Sequence, residues 1–187
     1  MGRILVITAG LFFLAGLCSC QPEREIPSSN IDSLKTKESG KSFPDFLVGT
    51  WKADNAQWIF HFEPDGRISS FRHYAGMNVD VSEGGASEEW PNGTIAAYFL
   101  GPCEANYTPA TRQLNVSIII EYFYIDYPTG RVTGSFSDYL RGPVSQNGKK
   151  WKARWLSYLT IDGAEPPDPN KIRPKTITFS KIQGNNQ

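Results

Sequence analysis

The chain is poor in the residues that most often carry chemistry, with three cysteines, two histidines and two methionines among 187 residues. Cys18 and Cys20 close an apolar run at the amino terminus, which leaves Cys103 alone in the remainder. One thiol forms neither an internal disulfide nor a thiolate metal cluster, so both are excluded downstream of the leader. Cys103 is expected to be a small buried apolar residue, because an activated thiolate needs a base and only His61 and His73 could supply one. Those histidines flank an Asp65-Gly66 turn and fall several residue pairs apart along a hairpin, about 10 Å or more at the standard strand rise, too far to share an ion. No Ser, His and Asp set has a recognisable spacing, and Gly84-Gly85 lacks the Lys, the Ser or Thr and the helix that complete a phosphate loop. The expectation is a non-enzyme with no catalytic residues, no metal and no cofactor. The net charge is +0 at pH 7 and Lys149-Lys150 is only a local pair, which removes the clustered cations that nucleic-acid binding requires. Beyond residue 45 no stretch holds a 3.6-residue apolar period long enough for a major helix.

What the sequence does have begins at its leader. Arg3 supplies a positive flank, Ile4 to Leu17 is an apolar run short for a membrane span, and a small residue, Ser19, precedes Cys20. Leu17 three residues before Cys20 and Ser19 directly before it resemble the cleavage box of bacterial lipoproteins; Cys18, preceded by the bulky Leu17, fits that pattern less well. The resemblance implies a signal peptide over residues 1–19 and lipidation of Cys20 by a diacylglycerol thioether with palmitate-type chains. It implies a membrane partner and an address in the cell envelope, on its periplasmic or cell-surface face, with Gln21 after the cysteine favouring the outer membrane. At about 0.8 kcal/mol per buried CH₂, two or three chains give lasting attachment where one gives marginal attachment. Residues 20–44 are rich in Glu, Ser, Lys and Pro without apolar period, and read as a flexible tether with a reach of roughly 25–30 Å. Residues 184–187 read as a disordered tail.

Residues 45–183 read as one all-β domain, about 140 residues being enough for a single core. Aromatics at 13%, with 17 glycines and 13 prolines, suit short strands punctuated by turns. Trp58, Phe60 and Phe62 share one strand face, Pro64-Asp65-Gly66 turns the chain, and Arg67 to His73 returns. Leu114, Val116, Ile118, Ile120, Tyr122 and Tyr124 alternate on one face of a long strand; Val132, Gly134 and Phe136 do so on the next. Trp151, Ala153 and Trp155 then oppose Lys152 and Arg154, and Ile177 and Phe179 form the last inward face. Turns are expected at Thr108 to Thr111, Tyr127 to Gly130 and Gln146 to Gly148. Eight or nine strands joined by short turns escape exposed edges most simply as an antiparallel up-and-down meander closed into a barrel. Under that count the carboxylates of Asp65, Glu83 to Glu89, Asp126 and Asp162 to Asp168 gather at one end, and Arg112, Lys149 and Lys150 at the other.

Gly49-Thr50-Trp51 on the first strand resembles the Gly-x-Trp signature of lipocalins and their calycin relatives, and Lys181 on the last strand stands where they carry an Arg. Ser137-Asp138-Tyr139 is similar to their second motif. The similarity implies a lipocalin-like barrel whose interior takes a small apolar or amphipathic ligand. Trp58, Phe60, Tyr122, Tyr124, Trp151 and Trp155 are the candidate ligand-binding residues, the tyrosine hydroxyls fixing orientation. The alternative is a solid barrel that docks another envelope protein, with Trp90, Tyr127 and the charged ends as its tools.

Overall fold

The structure is a computed structural model that describes residues 43–182. The expected signal peptide, lipidated Cys20, the tether up to residue 42 and the tail at 184–187 lie outside the described residues. Ten antiparallel strands follow one another: β1 (Gly49–Ala53), β2 (Ile59–Phe62), β3 (Ile68–Arg72), β4 (Asn78–Asp80), β5 (Gly85–Glu89), β6 (Ile95–Thr108), β7 (Gln113–Tyr127), β8 (Gly130–Pro143), β9 (Lys150–Ile161) and β10 (Lys175–Lys181). Each pairs with its neighbours in sequence, and β1 pairs with β10 to close the ring. The all-β up-and-down meander expected from alternation is therefore present, with ten strands where alternation suggested eight or nine. The extra strands hide in β4 and β5, the first only three residues long and the second carrying two glutamates and no large apolar residue. Neither offers an apolar period to count.

That miscount misplaced the charges. In an up-and-down ring, turns β2–β3, β4–β5, β6–β7 and β8–β9 share one end, so Asp65 and Glu83 stand at the same end as Arg112 and Lys149. Asp126 and the 162–168 loop occupy the other. The expected acidic and basic poles do not form.

The end that carries the β2–β3 turn is sealed by chain that precedes β1. Phe43, which composition assigned to the tether, is buried and packs its ring 5.7 Å from Phe62. Gly66 adopts φ 85°, and any Cβ there would meet the Phe43 ring at 2.9 Å, so the Pro64-Asp65-Gly66 turn needs its glycine twice over. Trp51 Nε1 donates to Leu47 O at 2.8 Å, and Lys181 Nζ donates to Phe46 O at 2.8 Å, tying first strand, last strand and lead-in together.

Two inward glycines let β8 press against β9. A Cβ at Gly134 would lie 2.0 Å from Thr160 O, and one at Gly142 would lie 1.8 Å from Lys152 O. These are the corners at which the sheet turns hard enough to close.

Candidate functional site

Alternation put Trp58, Phe60, Trp151 and Trp155 inside the barrel, and that is where the structure places them. The first three have no exposed surface and Trp155 retains only 9%. Tyr122 and Tyr124 are the correction. In β7 the pairing with β8 shifts between Ile120 and Phe123, leaving Glu121 and Tyr122 both facing out. A bulge of this kind inverts the alternation beyond it. Phe123 thus fills the interior, while Tyr122 is 39% exposed and Tyr124 stands beside it on the outer surface. The six residues do not converge on one cavity.

The interior is packed with side chains. Leu47, Trp51, Trp58, Phe60, Phe62, Leu114, Ile118, Ile120, Trp151 and Phe179 have no accessible surface, and a residue without any borders no void that holds even a water. Their rings meet directly: Trp151 stacks on Phe179 at 4.6 Å and Trp58 on Phe60 at 5.2 Å.

Above this apolar floor sits a polar cluster. Gly134, Phe136, Asp138, Leu140 and Gly142 all face inward on β8, which carries the Asp138 carboxylate into the core with no exposed surface. Asp138 Oδ1 accepts from Trp155 Nε1 at 2.8 Å, and Oδ2 lies 3.1 Å from His73 Nε2. His73, equally buried, follows the end of β3 and sits edge-on to Trp58 at 4.9 Å. Its Nδ1 faces the Ala75 backbone N–H at 3.4 Å and the Tyr98 hydroxyl at 3.2 Å. Because a backbone N–H only donates, Nδ1 is the acceptor and Nε2 carries the proton given to Asp138. Burial pushes the Tyr98 hydroxyl far above its usual range, with Tyr74 and Asp138 adding to the effect, so Tyr98 remains a donor. Tyr74 is raised by the same burial and by Asp138, against a hydrogen bond from Ser157.

An Asp, His and Tyr chain of this kind could move a proton only if a substrate reached it, and His73 and Asp138 have no surface to offer. It satisfies the polar groups of the core instead. Sequence reading had Asp138 only as part of the Ser137-Asp138-Tyr139 motif and did not place it in the interior, although the inward period Val132, Gly134, Phe136 leads to it in one further step. His61 and His73 stand apart as expected. His61 faces outward beside Thr50 Oγ1 at 2.9 Å. Cys103 is half-buried, and burial pushes its thiol up to about 11, against the pull of a backbone hydrogen bond from Ile119.

The outer surface carries two other concentrations. Phe99, Tyr122 and Tyr124 cluster on β6 and β7 with ring centroids 5.8–6.5 Å apart, and the Arg131 guanidinium lies 4.4 Å over Tyr124. Trp90 is half-buried against the core, whereas Tyr127 is exposed. Across β8 and β9 lies a groove of about 670 Å³ lined by Tyr139, Arg141, Gly142, Lys152, Arg154 and Leu156 among others. The alternation that turned Trp151 and Trp155 inward turned Lys152 and Arg154 outward, so this face was readable from sequence; the concavity, which Gly142 and Pro143 border, was not. The chain matches no known protein family, curated protein or solved structure.

Proposed function

We propose that this barrel is a solid interaction module of the cell envelope, lipocalin-like in plan and non-enzymatic, that docks another envelope protein through its outer surface while an acylated Cys20 holds it to a membrane. The filled interior carries the reading. A small-molecule site calls for a concavity of roughly 300–1,000 Å³, and concavities of that size, one of about 670 Å³ among them, lie on the outside of the wall. The alternative of an apolar ligand among Trp58, Phe60, Trp151 and Trp155 would need those rings to leave contacts in which they have little or no free surface. The non-enzymatic reading is supported by the sealing of His73 and Asp138, the one histidine and carboxylate pair in the interior among the described residues.

Kinship in plan with lipocalins is supported by Gly49 and Trp51 on β1 and by Lys181, the residue that pairs with Trp51 from the last strand. Two features depart from that plan: the ring has ten strands, and Ser137-Asp138-Tyr139 lies within β8 rather than at a strand start.

The test uses the purified full chain. Organic extraction should release no stoichiometric small molecule, and titration with fatty acids or retinoid-like dyes should leave tryptophan fluorescence unchanged. Affinity purification from envelope extracts should recover one protein in stoichiometric amount. A lipid recovered at one per chain, or quenching by any member of the panel, would reject the reading.

A further inference from the structure

The groove over β8 and β9 is built against its own stability. Arg141 and Arg154 are direct partners across the two strands and both project outward. Opposite-charge pairs stabilise such positions, whereas like charges directly opposite repel. Lys152 stands two residues from Arg154 on the same face. Among the described residues no carboxylate lies within ion-pair distance of any of the three. The contact that does restrain the pair is with a neutral acceptor: Arg141 Nε donates to Gln113 Oε1 at 2.8 Å, which orients the guanidinium and leaves its terminal amino groups without a hydrogen-bond partner among the described residues.

The surroundings specify more than charge. Towards the other end of β8 and β9 the concavity continues between Ser137, Tyr139, Leu156 and Tyr158, with the two tyrosine rings 6.0 Å apart and edge-on. From Pro143 to Ser137 the groove follows six residue steps of strand, about 20 Å at the standard rise. That matches an extended segment of about six residues, with carboxylates at the cationic end and an apolar or aromatic side chain on the tyrosines. A free phosphate would occupy a small part of it.

We propose that this groove is the docking site for an extended acidic segment of a protein partner, its carboxylates paired with Arg141, Arg154 and Lys152 and its apolar residue seated on Tyr139, Leu156 and Tyr158. Arginine matches carboxylate geometry with two parallel hydrogen bonds, so the arginine pair supplies selectivity as well as charge. The inference rests on the interaction-module reading above.

The test is direct binding of a fluorescent peptide of about eight residues alternating glutamate and leucine to the purified full chain. Binding is expected at low salt and should weaken steeply as salt rises. The variant Arg141→Gln with Arg154→Gln should lose at least about tenfold in affinity, at roughly one factor of ten per 1.4 kcal/mol. Lys171→Gln, an exposed cation elsewhere, should bind as the parent does. The double variant should melt at the same temperature or higher, because it removes a repulsion, so lost binding cannot be blamed on lost folding. Equal binding by parent and double variant overturns the proposal. So does equal binding of a lysine and leucine peptide, saturation of the site by inorganic phosphate alone, or arginine-dependent sedimentation with phosphatidylglycerol vesicles where the peptide fails to bind. In envelope extracts, absence of any stoichiometric partner rejects the module reading itself. Recovery of a partner equally by parent and double variant rejects only this groove.

Discussion

Asp138 is the residue on which the polar core depends. It is buried without exposed surface, and it takes hydrogen bonds from both Trp155 Nε1 and His73 Nε2. Asp138→Ala strands two buried donors at once, the neutral His73 Nε2 and Trp155 Nε1, and each buried group left without a partner typically costs about 1–3 kcal/mol. A fall of that size in the urea midpoint, with a smaller loss for Asp138→Asn, which keeps one acceptor oxygen, is the expected outcome; a variant as stable as the parent would show the cluster to be incidental. The half-buried thiol and the buried hydroxyls give a second residue-scale consequence. Burial raises Cys103 from 9.0 to about 11 and raises Tyr98 and Tyr74 above the ordinary tyrosine value of 10.0. Above those ordinary values the unfolded chain has released protons that the folded chain still holds, so stability falls as pH rises. The contribution is intact below pH 9 and declines from there, through about 11 for Cys103, with the tyrosines joining near 10. Urea midpoints measured from pH 7 to 11 should stay level and then drop, and Cys103→Ala should move the onset upward towards the tyrosine range.

At the scale of elements, the strands that alternate cleanly were legible and those that break alternation were not. The inward sets of β8, β9 and β10 follow parity alone, because each has one face in the core and one in water. Tyr122 and Tyr124 were assigned inside because parity was carried through Glu121, where the bulge consumes one residue, although the apolar Phe123 intruded on the face read as outward. Facing the bulge in β6, Gly101-Pro102 marks the matching irregularity and is a second signal that could have warned of it. The glycines of β8 make the sharpest prediction for an element. Gly142→Ala and Gly134→Ala each place a methyl within about 2 Å of a β9 carbonyl oxygen, and rigid backbone cannot yield as a side chain could. Each should destabilise by more than the roughly 1–3 kcal/mol typical of overpacking a core. Alanine at Gly93, whose surroundings are open, tests instead the strain of its φ of 77°. Thermal melts that rank Gly93→Ala as milder than both β8 variants would bear out the corner assignment; the reverse order would refute it.

For the whole molecule the decisive contact is the one between its ends. β1 and β10 are remote in sequence, yet Trp51 pairs with Lys181 and Ala53 with Phe179. No local turn supports that closure, so it is held by what it buries. Phe179 stacks on Trp151 at 4.6 Å and lies 5.6 Å from Phe60, joining β10 to β9 on one side and to β2 on the other. Closure also removes the edges of β1 and β10, which would otherwise present unpaired backbone to other chains. Ending the chain after Pro174 deletes β10 with Ile177 and Phe179, opens two edges and bares one face of the stacked tryptophan. The shortened chain should therefore lose the sharp urea transition and the near-ultraviolet signal of its fixed aromatics, and associate through the exposed edges in sedimentation experiments. A monomer with an undiminished transition would mean that the other nine strands hold their shape unaided. Sealing the barrel would then be a consequence of the fold rather than its support.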